Sequence, residues 1–252
     1  MLVIEDAALA VFLVFCRVGG CILVAPGLSS ARIPTQVRIL IATSIAVALS
    51  PSLASTVLDS LTGQPPDVRL MAIVSECLTG ATIGLIGRIL VLALQFSATA
   101  ISNMIGLAGI PGMPLDDAES GSPLATLASS AAVVILLALN LHIEMLRAIM
   151  ESYSIFPPGQ MMSSDALLQY VVDAVTMGWV LALRLAAPFI VYGILVNTAI
   201  GLANRFTPQV SFYHATTGVV MLGGFLLFWL LMPEWLMSFV GVYQHWLIAG
   251  GF

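Results

Sequence analysis

Apolar residues fill this chain in long runs, separated by short stretches rich in glycine and proline. About 20 apolar residues carry an α-helix across the ~30 Å hydrocarbon core of a bilayer, where a helix satisfies its own backbone hydrogen bonds and water cannot. Six or seven segments meet that length: 7–25, 39–58, 70–101, 124–141, 167–203, and 219–232 followed after Pro233 by 235–248. Two of them, 70–101 and 167–203, would extend roughly 45 to 55 Å at ~1.5 Å per residue. Each is therefore expected to tilt, kink or rise out of the membrane, with Pro188 as the kink in the second. Breakers mark the connections at 26–34, 63–66, 109–123, 157–159 and 207–208, and no soluble domain is inserted. The pattern predicts an all-α, polytopic membrane protein of long, kinked helical hairpins.

Composition narrows the chemistry. Hydrophobic residues make up 60% of the 252 and charged residues 8%, against about 25% charged in soluble domains. So few charges cannot cover a water-soluble monomer, and the remaining surface must face lipid or other subunits. All eight basic residues are arginine, which removes the Walker A lysine, the Schiff base and the lysine general base. The net charge of −5, with no basic run, sets nucleic acid aside. Cys16, Cys21 and Cys77 lie in apolar stretches without zinc-site spacing or an even count, and read as small packing residues. The acidic opening, Met-Leu-Val-Ile-Glu-Asp, is unlike a secretory signal, so the first apolar segment is expected to be retained.

Intramembrane hydrolysis would need a serine elbow, a His-Glu-x-x-His helix or two aspartates meeting across helices, and none is present. His142-Ile-Glu144 imitates the start of a deaminase signature but lacks the downstream Pro-Cys-x-x-Cys, while His214 and His245 are isolated. No catalytic, cofactor or metal residue is predicted, and the chain is not expected to be an enzyme. What stands out instead is charge inside apolar runs: Arg17, Glu76, Arg88, Asp173 and Arg184. Insertion scales put such a residue at helix centre at about +2.5 to +3.5 kcal/mol, so these groups are expected to face protein, water or one another. The chain offers few local pairs besides Glu144 with Arg147, and an assembly whose interior hydrates the charges is the simplest resolution. Snorkelling to the headgroups is the plainer alternative for Arg184 and, less so, Arg17. Gly80, Gly84 and Gly87 line one helix face, and Gly193, Asn197 and Gly201 repeat the four-residue spacing, so both sets are expected to pack against partner helices.

Several landmarks fall in the order of a known family. They are Phe15-Cys16-Arg17, Ala25-Pro26, Ile33-Pro34, Arg38 and Pro51; Glu76, Gly80 and Gly84; Gly106 and Gly109 before Asp116-Asp117; Leu139 through His142 to Phe156-Pro157-Pro158-Gly159; and Ala187-Pro188-Phe189 with Asn204-Arg205-Phe206-Thr207-Pro208-Gln209-Val210-Ser211. Over essentially the whole chain this resembles the FliR/SctT family of type III export-gate subunits. The resemblance implies a structural, channel-forming subunit of the bacterial inner membrane at the flagellar basal body, passing unfolded flagellar subunits and needing no cofactor. It implies one copy joined with several FliP-like and FliQ-like membrane subunits in a helical spiral largely above the membrane plane, together with other export-apparatus proteins. It also implies a single export-gate domain, 1–252, whose parts 1–157 and 158–252 are like one copy of each partner fused end to end. Arg205 and Gln209 join the assembly-facing polar candidates on this ground. The same role in a virulence secretion system stays open, as does a proton-coupled secondary transporter using Glu76 and Asp173 as carriers.

The family places a plug in the loop after the third hydrophobic segment, which here is 105–122. Ile105, Gly106, Gly109, Ile110, Pro111, Gly112, Met113 and Leu115 are apolar yet rich in helix breakers. Such a segment can line a dry constriction that resists ions and yields to an incoming chain. Family plugs often carry phenylalanine there, and this chain has none between Phe96 and Phe156.

Overall fold

The computed structural model describes residues 2–30, 33–61, 65–107, 122–160, 162–206 and 212–248, the side chains of 2–6, 59, 61 and 212–215 excepted. Among the described residues it is all-helical. In order, the helices are α1 (Leu2–Val24), α2 (Thr35–Leu61), α3 (Pro66–Met104), α4 (Pro123–Ala138), α5 (Leu141–Ile155), α6 (Ser164–Phe206) and α7 (Phe212–Ile248).

The breakers set the helix ends. Pro66 and Pro123 open α3 and α4 at first-turn positions, where a missing N–H costs nothing. Ser122 and Ser163 cap α4 and α6, each accepting at its Oγ a bond from the backbone N–H three residues on, at 3.2 Å. Gly27, Gly106 and Gly159 take positive φ in the connections. Inside the helices, Pro51, Pro188 and Pro233 are accommodated without ending them.

Two departures from the sequence pattern have local causes. Segments 219–232 and 235–248 form the single helix α7, which runs through Pro233; a proline removes one backbone bond, and the turns on either side hold the helix. The apolar run 124–141 stops early, because Asn140 adopts a left-handed conformation at φ 57° and starts α5. α5 escaped the hydropathy pattern because His142, Glu144, Arg147 and Glu151 interrupt it. It buries one face, Leu141, Ala148, Ile149, Ser152 and Tyr153.

Among the described residues, five helices are long and apolar enough to cross a membrane, or six if α4 and α5 make one broken span. The chain is a polytopic helical membrane protein. Only 17% of the apolar window in α2 and 11% of that in α7 is buried, against 50% in α1 and 56% in α3; the bare faces include Leu40 and Val47 of α2 and Leu222, Leu226, Trp229 and Met237 of α7.

The helices contribute to two compact units. The first comprises Met1–Leu90, Leu136–Thr176 and Tyr243–Phe252, and the second Val91–Ile135 and Met177–Val242. Leu13, Val14, Val18, Ile83, Ile86, Ile149 and Tyr243 fill the first core. Leu94, Ile101, Ile105, Leu185, Phe189 and Phe239 fill the second, where Phe228 stands 6.1 Å from Phe189 and 6.0 Å from Trp235, ring centre to ring centre.

Candidate functional site

Within the first unit, glycine brings α1 and α3 into backbone contact. A Cβ built on Gly80 would collide with the carbonyl oxygen of Arg17, and one on Gly84 would lie 2.5 Å from that of Cys21. Gly20 of α1 answers from the other side, where a Cβ would come within 2.5 Å of the Cys77 carbonyl oxygen. Four residues along α3 match four along α1 in the same direction, so the two helices run parallel. Lipid tails give apolar helices no solvent-driven reason to associate, and close packing of small residues supplies the attraction instead.

That contact places Arg17 beside Glu76. The Arg17 Nε–H donates to Glu76 Oε2 at 2.6 Å, and Nη2 donates to Oε1 at 2.8 Å, a two-pronged pairing. Nη1 donates to Ser152 Oγ at 2.9 Å, and Nη2 also donates to the Phe156 carbonyl at 3.0 Å, both at the end of α5. The Ser152 hydroxyl donates onward to the Ile149 carbonyl at 2.6 Å, which leaves its lone pairs for the arginine. The guanidinium carbon lies 3.7 Å from the centre of the Tyr153 ring, whose face attracts the cation. Arg17 and Glu76 are each 1% exposed. This network can position three helices.

The chain thus pairs two of its five intramembrane charges internally, although they lie 59 residues apart. Sequence reasoning singled out both residues but not their pairing, and it missed Ser152, Tyr153 and the Phe156 carbonyl altogether. A signal was present, since Arg17 precedes Gly20 by three residues and Glu76 precedes Gly80 by four. The other charges lie on the surface of the chain: Arg88 on α3, Asp173 and Arg184 on α6, and Arg205 in the last turn of α6. Gln209 is outside the described residues. Glu144 and Arg147 do pair, at 2.8 Å, but largely in the open, where such a contact contributes about 0–1 kcal/mol.

The remaining glycines divide by environment. Gly87 leaves room for the Tyr243 hydroxyl and Pro26, and Gly193 accommodates Met104. Gly201 has open space around it.

In the second unit, the segment expected to hold the plug begins and ends on fixed points. Ile105 is fully buried, with its side chain seated where Gly224 of α7 has none. Gly106 turns the chain at φ 81°. On the far side, Ser102 Oγ donates to Ser122 Oγ at 3.0 Å, joining the end of α3 to the residue before α4. Gly109, Ile110, Pro111, Gly112, Met113 and Leu115 lie outside the described residues.

A helical membrane protein with charged residues on its outer faces and a glycine-packed ion pair within is a class, and comparison with known proteins narrows it. Residues 8–246 match the family described as bacterial export proteins, family 1, and the chain belongs to that family. It is 29% identical over 217 residues to the flagellar biosynthetic protein FliR of Caulobacter vibrioides, covering 83% of each chain. With the protein of that name from Escherichia coli K12 it shares 27% over 226 residues, covering 86% of this chain and 82% of the relative. With that of Buchnera aphidicola it shares 25% over 179 residues, covering 70% and 68%.

Proposed function

We propose that this chain is a structural, channel-forming subunit of the flagellar type III export gate, with no catalytic step of its own. It sits in the bacterial inner membrane at the basal body, as one copy in a helical spiral with FliP-like and FliQ-like subunits, and unfolded flagellar proteins pass through the assembly. In this reading 1–157 stands in for one copy of the first partner and 158–252 for one of the second. Membership of the export family and relatives that bear the flagellar name support the reading, and favour flagellar over virulence use.

One observation carries the assembly: Arg88, Asp173 and Arg184 are exposed within long apolar stretches of α3 and α6. Against acyl chains each would cost about 2.5–3.5 kcal/mol. Against a partner helix bearing opposite charge, or a hydrated interior, that cost falls away. Arg88 projects from the same face as Leu85 and Leu92, one turn away on either side.

The test is purification of the tagged chain from membranes in mild detergent, with mass measurement of what accompanies it. Several copies of two other small membrane proteins are expected with one copy of this chain, and Arg88→Glu should reduce their recovery at least tenfold without lowering the amount of chain in the membrane. Recovery of the wild-type chain alone, or as a homodimer, would overturn the proposal.

A further inference from the structure

Two thiols face each other across the tightest stretch of the α1–α3 seam, and the ion pair uses neither. Cys16 is buried one residue before Arg17, and Cys77 is exposed one residue after Glu76; both are free thiols. The glycine contacts bracket them within a turn: Gly20 lies on the Cys77 carbonyl, and Gly80 on the Arg17 carbonyl. A disulfide needs Cα atoms about 4.4–6.8 Å apart. Here the two backbones touch through glycine, and the Cys16 thiol is within hydrogen-bonding reach of Cys77. Cys21, the third cysteine, is buried near Gly84.

We propose that Cys16 and Cys77 form a redox-convertible dithiol, closed to an intrachain disulfide by a small apolar disulfide donor. Cys77 is the entry point because it alone of the pair is exposed, and attack requires an accessible thiolate. Its sulfur attacks one sulfur of the donor; the donor S–S bond breaks, and the first donor thiol leaves with the proton Cys77 gave up. The Cys16 thiolate then attacks the Cys77 sulfur, the mixed disulfide breaks, and the second donor thiol leaves with the Cys16 proton. The protein dithiol loses two electrons, and the donor gains them as two thiols. The new bond joins α1 to α3 beside the Arg17–Glu76 pair and fixes their register covalently. This site is independent of what the assembly transports.

The experiment treats membranes containing the full chain with 2,2′-dipyridyl disulfide, then denatures the protein and counts remaining thiols with a polyethylene-glycol maleimide. The wild type should lose two of its three thiols while keeping the mass of the bare chain less two hydrogens. Cys21→Ser should lose both remaining thiols in the same way, and Cys16→Ala should hold a pyridylthio group on Cys77. Cys77→Ser, which leaves the buried packing intact, should form no internal bond. A stable pyridylthio adduct on wild-type Cys77 with Cys16 still titratable, a Cys77-linked dimer, or three unreacted thiols would each overturn the proposal.

Discussion

At the scale of single residues, the Arg17–Glu76 pair dominates the first unit. Moving both ions out of water is costly, and their attraction repays that only because nearly every donor of the guanidinium finds an acceptor. Removing one partner leaves the other charge buried and alone. Arg17→Met should therefore destabilise the chain by about 3–5 kcal/mol, seen as a fall in its unfolding temperature in detergent and in its level in the membrane. Arg17→Lys should recover little, because a point charge cannot reproduce the two-pronged contact. The double change Arg17→Met with Glu76→Leu should regain much of the loss. A single Arg17→Met variant as stable as the wild type would show that the pair contributes nothing to stability.

At the scale of helices, glycine decides which surfaces can meet. Gly80→Ala adds one methyl group where the Arg17 backbone already stands, and backbone cannot move aside as a flexible side chain can. Alanine favours a helix over glycine by about 1 kcal/mol, yet overpacking costs about 1–3 kcal/mol or more, so the clash wins and unfolding should come at lower temperature. Gly201→Ala is the matched control, with nothing within 4 Å of the added group; its stability should be unchanged or slightly higher. If both substitutions behave alike in a thermal unfolding series, the seam is not the close contact described here. The two glycines share the four-residue spacing pattern in the sequence, and only their neighbours tell them apart.

At the scale of the whole molecule, large apolar faces of α2 and α7 stay bare, and Arg88 of α3 with Asp173 and Arg184 of α6 lie on the outside. A chain that satisfied itself would have turned these inward, so its surface is shaped for lipid and for other proteins together. The tie between Ser102 and Ser122 and the seating of Ile105 against Gly224 hold both ends of the connecting segment in place. Deleting 106–114 in cells that overproduce the assembly should raise the passage of small dyes across the inner membrane several-fold over the wild type. Unchanged permeability would remove this segment as the seal.

Run lengths and breakers alone were enough to reveal the class. Apolar run length fixed most of the helices, because a bilayer admits helical backbone on its own terms, and proline, glycine and serine fixed their ends. The sequence also singled out Arg17 and Glu76, since a charge in an apolar run is conspicuous wherever its partner lies. That these two meet, that Ser152, Tyr153 and the Phe156 carbonyl complete their surroundings, and that Gly80 is crowded while Gly201 is not, emerges from the packing of the helices alone. These facts depend on which helices lie side by side, and hydrophobicity, being non-directional, does not encode that choice. The amphipathic α5 shows the same limit from the other side: its buried face becomes legible only once α1 supplies the arginine it serves.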